Sequence, residues 1–256
     1  MSFLRNRRRR RLLEKPLSED QRHTLAAVAP LCAALPGSLR ARHEGVVQLL
    51  LAEKHFEPAG GLALDAAMPL AIAGQAALLQ MRAGADYFPD LETVLIYPKA
   101  FQVDHSEEDE HGFVHEWDDE LAGQSWQRGV VVVSWQDLAQ ESQQRDGYNV
   151  VLHEFAHQLD EQSGEADGTP LLPTAEFAER WHEAFQAAFE RHRRSLRRRR
   201  KRLFDENAAE SPAEFFATAM ELFFELPRHF RKEFADLHAL LAEYLELDPA
   251  AWPRLS

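Results

Sequence analysis

The stretch Asn149-Val150-Val151-Leu152-His153-Glu154-Phe155-Ala156-His157-Gln158-Leu159-Asp160 carries the pattern His-Glu-x-x-His on a segment that is apolar almost all round. Residues four apart on a helix share a face, so His153 and His157 can reach one metal ion, with Glu154 beside them. Val150, Val151, Leu152, Phe155, Ala156 and Leu159 predict a buried helix rather than a surface one. Two imidazoles and a carboxylate inside such a helix need partners, because buried polar groups without them are costly. A metal that binds both histidines and polarises a water for the glutamate satisfies all three. The chemistry this points to is zinc-assisted hydrolysis. The same five residues also arise by chance on surface helices, where they are merely solvated; the apolar surroundings speak against that.

Composition sets the frame around this helix. A chain of 256 residues, 45% hydrophobic and 28% charged, is that of an ordinary water-soluble globular protein with a full core. Its net charge of -13 disfavours a general nucleic-acid binder. Cys32 is the single cysteine, which excludes an internal disulfide, leaves zinc to His and carboxylate ligands, and fits a cytoplasmic location. No window approaches the roughly 20 apolar residues of a membrane span, so no membrane insertion is expected. The basic residues Arg7 to Arg11 predict a frayed tail over 1–15, followed by one domain over 16–256, with a helical N-terminal region (16–90) and a region of sheet, metal helix and C-terminal helices (91–256).

Along the chain, residues Leu17 to Phe56 read as helices broken at Pro30 and at Leu35-Pro36-Gly37-Ser38, and Ser18 with Gln21 forms a capping box. Pro58-Ala59-Gly60-Gly61 reads as a turn, and Pro69 to Leu79 as a buried helix rich in small residues. Two β-branched runs, 93–97 and 130–134, predict strands. Between them, 104–125 reads as an acidic surface loop. Phe113, Val114 and Trp117 offer a short edge strand there, and His105, His111 and His115 are better explained by solvation than by a cation. Phe177, Trp181, Phe185 and Phe189 form an aromatic stripe on a helix from about Thr174 to Arg191 that belongs to the core. The run Arg191 to Arg202 reads as a solvated face, with docking of an acidic partner or nucleic acid as the other option; nothing aromatic is interleaved to stack on bases. Ser211-Pro212-Ala213-Glu214 opens another apolar helix.

Catalytic zinc usually takes three protein ligands and keeps one position for water. No third histidine follows at the spacing of the metzincins. Glu214, in the first turn of a strongly apolar helix, is the favoured carboxylate from spacing, with Glu210 and Glu221 as competitors and stabilisation of the helix dipole as the bland explanation. Asp160 lies on the ligand side of the metal helix and is a candidate to orient an imidazole, or else a plain helix-end carboxylate.

Gly147 to Asp160, Ala166-Asp167-Gly168-Thr169-Pro170 and Ser211-Pro212-Ala213-Glu214-Phe215-Phe216-Ala217, with Leu95-Ile96-Tyr97-Pro98 and Val131 to Trp135, closely resemble the Mlc titration factor A family of bacterial zinc peptidases. The likeness covers most of the chain after about residue 15. It implies a gluzincin-type site, with His153, His157 and Glu214 as ligands to one zinc ion and Glu154 as general base. It implies an α+β fold, mainly helical and zincin-like, whose small sheet packs on the metal helix. It also implies aminopeptidase-like action on short peptide substrates and binding to a transcriptional repressor. Asn207 stands where the family commonly carries a tyrosine, seven residues before the ligand glutamate. Losing a transition-state donor of that kind typically costs about 100- to 1,000-fold in rate, unless a group such as Tyr148 replaces it. The alternative reading is therefore a weakly active or inactive zinc protein that titrates a regulator.

Overall fold

In the computed structural model, residues 2–99, 129–197 and 203–253 are described; the acidic loop, its edge strand and its histidines, and the run 198–202, lie outside the described residues. The chain starts with α1 (Ser2–Leu13), α2 (Glu19–Val28), α3 (Pro30–Ala33) and α4 (Gly37–Glu53). The capping box of Ser18 and Gln21 is present at the start of α2. The tail expected over 1–15 is instead the docked helix α1. Arg9 makes a forked bond to Glu53 at 2.6–3.1 Å, and Arg8 reaches the Ala52 carbonyl at 3.1 Å. Leu12 and Leu13 pack on the core, and α1 passes so close to α4 that a Cβ on Gly45 would overlap the Leu13 carbonyl. Arginine is a good helix former, and one desolvated bidentate partner converts a charge run into an anchored element.

After α4 the chain turns at Lys54, whose ammonium donates to the Phe88 and Leu91 carbonyls at 2.5 and 2.8 Å. It then enters β1 (His55–Pro58), where a helix through Phe56 and a turn at Pro58 were expected. The extended backbone pairs with the next strand from His55 onward, and Pro58 is tolerated at the edge because it donates to no ladder. Next come α5 (Ala67–Leu78), β2 (Thr93–Tyr97) and β3 (Val130–Ser134). The three strands are parallel in the order β1-β2-β3, with Thr93 opposite His55 and Val130. Val94, Ile96, Val131 and Val133 are buried, as a parallel sheet requires.

The second half supplies α6 (Trp135–Glu141), α7 (Val150–Asp160), α8 (Ala175–Arg197), α9 (Pro212–Glu225), α10 (Pro227–Glu233) and α11 (Ala235–Leu245). Helix α7 lies between β3 and α9. Trp181 of α8 is fully buried, stacks on Phe185 and meets Phe216 and Tyr244 edge-on, so the aromatic stripe is core. Helices thus dominate, and a small parallel sheet flanks the helix that carries the His-Glu-x-x-His pattern.

Candidate metal centre

Helix α7 begins at Asn149, whose side chain accepts from Leu152 N at 3.0 Å, while the Glu141 carboxylate accepts from Val150 N at 2.7 Å. These two acceptors answer the unpaired N–H groups of the first turn. Val151, Leu152, Phe155, Ala156 and Leu159 fill the interior, and His153, Glu154 and His157 occupy the half-exposed side. Helix α9 approaches from across that side. Ser211 caps it by accepting from Glu214 N at 3.1 Å, and Pro212 fits its first turn. The local sequence therefore fixes Glu214 in the first turn of α9, with its carboxylate towards both imidazoles.

His153 Nε2 lies 3.2 Å from Glu214 Oε2 and 3.2 Å from His157 Nε2, and His157 Nε2 lies 3.3 Å from Glu214 Oε1. Nitrogen and oxygen ligands about 2.0–2.1 Å from one zinc ion, at tetrahedral angles, stand about 3.3 Å apart. Each Glu214 oxygen faces one imidazole, and the three residues offer the donor types of a zinc site, with one ligand atom from each within 4.8 Å of the others. Among the described residues, no other group of His, Cys, Asp and Glu brings three donor atoms together in this way.

The electrostatics also favour a cation. Burial works against a charged His153, yet Glu214 and Glu221 outweigh it and hold its pKa up to about 10. The two imidazoles push the Glu214 carboxyl far below its ordinary range. Burial raises Glu154, with the nearby Glu214 and Glu221 charges acting in the same direction and both imidazoles opposing. A carboxylate raised in this way is the stronger base.

The structure separates the carboxylates that sequence spacing left in competition. Glu214 meets the Nε2 atoms, whereas Glu221 lies on the opposite side of His153 and takes Nδ1 at 2.8 Å. Glu210 is exposed at the end of a short turn, 207–209. Glu221 also accepts from Asn149 N at 2.5 Å, and the Asn149 side chain donates to Glu225 at 3.0 Å and to Gln75 at 2.5 Å. Arg145 closes the chain of contacts on Glu225 at 3.4 Å. These supports are the ones sequence reasoning missed. Their signal was present: Glu214, Glu221 and Glu225 recur at seven and four residues on an otherwise apolar helix, which places them on one stripe.

By sequence, Asp160 is open between orienting an imidazole and serving as a plain helix-end carboxylate. It is fully buried, accepts from Gly168 N at 2.9 Å, and has no hydrogen-bond partner at Oδ1 among the described residues. Burial lifts its pKa to about 6 against the pull of the Gly168 and Thr169 N–H groups. Its hydrogen bond holds the loop after α7 beneath Trp181, whose indole donates to Gly168 O at 3.1 Å. Gly168 has φ 81°, and a Cβ there would press on the Pro212 carbonyl, so this loop abuts the start of α9. Asn207 is exposed, and the half-exposed ring of Tyr148 faces Asp205, two residues before it.

The family model described as glucose-regulated metallo-peptidase M90 matches residues 3–246. An uncharacterised protein of Synechocystis sp. is 33% identical over 244 residues, covering 94% of this chain and 89% of its own length. Mlc titration factor A of Escherichia coli is 32% identical over 223 residues, covering 86% of this chain and 83% of its own. With a match across nearly its whole length, and a His-His-Glu cluster that could hold a metal ion, the chain belongs to the glucose-regulated metallo-peptidase M90 family and is similar to Mlc titration factor A over most of its length.

Proposed function

We propose that the protein is a zinc-dependent peptidase of aminopeptidase-like action on short peptides, in which His153, His157 and Glu214 hold the ion and Glu154 is the general base. The observation that carries this reading is the convergence of His153, His157 and Glu214, with one ligand atom from each within 4.8 Å of the others. Zinc held there supplies Lewis-acid polarisation and acidifies water, from a pKa of about 15.7 towards 7. Glu154 takes a proton from the water as it attacks the peptide carbonyl, and returns it to the leaving amine. Glu221, on Nδ1 of His153, keeps Nε2 free to face the ion and holds the ring's orientation. Tyr148 is the phenol available to donate to the developing oxyanion where Asn207 replaces the tyrosine of the resemblance. Its hydroxyl is half-exposed and hydrogen-bonded to Asp205, a contact it would exchange for one to substrate.

A second reading rests on the similarity to Mlc titration factor A, whose name describes titration of Mlc: the chain binds a transcriptional repressor, with peptidase turnover weak or absent. Zinc content per chain, with hydrolysis of aminoacyl and short-peptide chromogenic substrates, separates the two. Glu154→Gln keeps all three ligands and is expected to lower kcat/KM by about 100- to 10,000-fold with zinc retained. Full zinc with no hydrolysis above that variant would sink the peptidase reading and leave the repressor-binding one.

A further inference from the structure

At the far end of α9 from Glu214, the chain of contacts that starts on His153 emerges at Arg145 in the wall of a cavity of about 510 Å³. That volume is in the range of small-molecule sites. Arg145, Arg228 and Lys232 bring three positive charges to its wall, with His229 beside them, against the single carboxylate of Glu225. This is a local reversal of sign in a protein of net charge -13. Several of these groups are already fixed. Arg145 is braced by Glu225 and by the Phe224 and Glu225 carbonyls at 2.8 and 3.0 Å, which leaves its Nη1 without a partner among the described residues. Arg228 is tied to the Trp252 carbonyl at 2.8 Å. His229 and Lys232 are exposed and have no hydrogen-bond or ion-pair partner among the described residues. Pro227, Trp252 and Pro253 supply an apolar floor.

We propose that this cavity binds a small phosphate monoester, with the phosphate among Arg145, Arg228, His229 and Lys232 and an apolar group on the floor. The charge excess matches a dianion rather than a single carboxylate, and a guanidinium held by its other nitrogens presents donors at little entropic cost. The site shares no residue with the candidate metal ligands and stands apart from the peptidase reading.

The test is calorimetric titration of the zinc-loaded protein with phenyl phosphate, with inorganic phosphate and phenol as the two halves of the probe. A Kd below about 1 mM is expected for phenyl phosphate, with each half binding at least about tenfold more weakly. The double variant His229→Ala, Lys232→Glu alters two exposed side chains that support nothing else, so its melting temperature should be unchanged while affinity falls about tenfold or more. Absence of saturable binding would overturn the proposal. So would binding that the double variant leaves intact, because the phosphate would then be held elsewhere, the metal centre included.

Discussion

The imidazole of His153 is gripped on both nitrogens: Glu214 faces Nε2 at 3.2 Å and Glu221 accepts Nδ1–H at 2.8 Å. With a metal ion on Nε2, that second contact would fix the tautomer and make the ring a better donor. Glu221→Gln is therefore expected to lower zinc affinity by about 10- to 100-fold, read by competition with a chromophoric chelator. Affinity should fall without the collapse of activity at saturating zinc that marks Glu154→Gln. Equal affinities in the parent and the Glu221 variant would show that the contact does not orient a ligand. Asp160 separates the two kinds of carboxylate: its bond to Gly168 N holds a loop, not a ring.

Two close approaches between helices carry element-scale consequences. Gly45 lets the Leu13 carbonyl pass directly over α4. Gly45→Ala should force α1 outward, cost about 1–3 kcal/mol, and expose Arg7 to Arg11 to trypsin while the rest of the chain resists. Unchanged cleavage in that region would mean that α1 does not dock as described. The second approach joins α4 to α5, where His43 Nε2 donates to the Gly74 carbonyl at 2.7 Å in a fully buried setting. Burial lowers the His43 pKa to about 4 from an ordinary 6.5, against the opposing pull of that carbonyl and of Glu44. The folded state thus keeps His43 neutral where the unfolded chain takes up a proton. Its contribution is complete above about pH 6.5 and is lost as pH falls towards 4, a span worth of order 3 kcal/mol. His43→Gln should flatten the fall in urea midpoint between pH 7 and pH 5. If both proteins lose stability equally over that range, some other group is responsible.

For the molecule as a whole, the candidate centre is a cross-link between α7 and α9, and both helices run through the same core. Without a cation, Glu154, Glu214 and Glu221 crowd two imidazoles in a partly desolvated place. An ion that binds the folded state alone contributes about 2.7 kcal/mol at a concentration 100 times its Kd. For a chain of this size that corresponds to roughly 5–10 °C. Chelation should lower the melting temperature by that amount, and added zinc should restore it. A melting temperature indifferent to zinc would argue against an ion held by the folded protein.

The metal helix, strands 93–97 and 130–134, the aromatic stripe of α8 and the caps at Ser18 and Ser211 were all legible in the sequence. Each is encoded by residues within a turn or two of one another, so no knowledge of distant packing is needed. The identity of the carboxylate partners was not local information. Glu214 and Glu221 lie on the same stripe of α9, and only the position of α9 along α7 decides which of them meets Nε2 and which meets Nδ1. The same holds for Asp160, whose partner comes from a loop folded back beneath Trp181, and for His55–Pro58, a strand only because β2 lies beside it. Arg9, one arginine in a run of five, is set apart by where Glu53, the Asp86 carbonyl and the Tyr87 ring lie. Sequence periodicity specified which residues face inward, and the relative placement of packed elements specified what each of them touches.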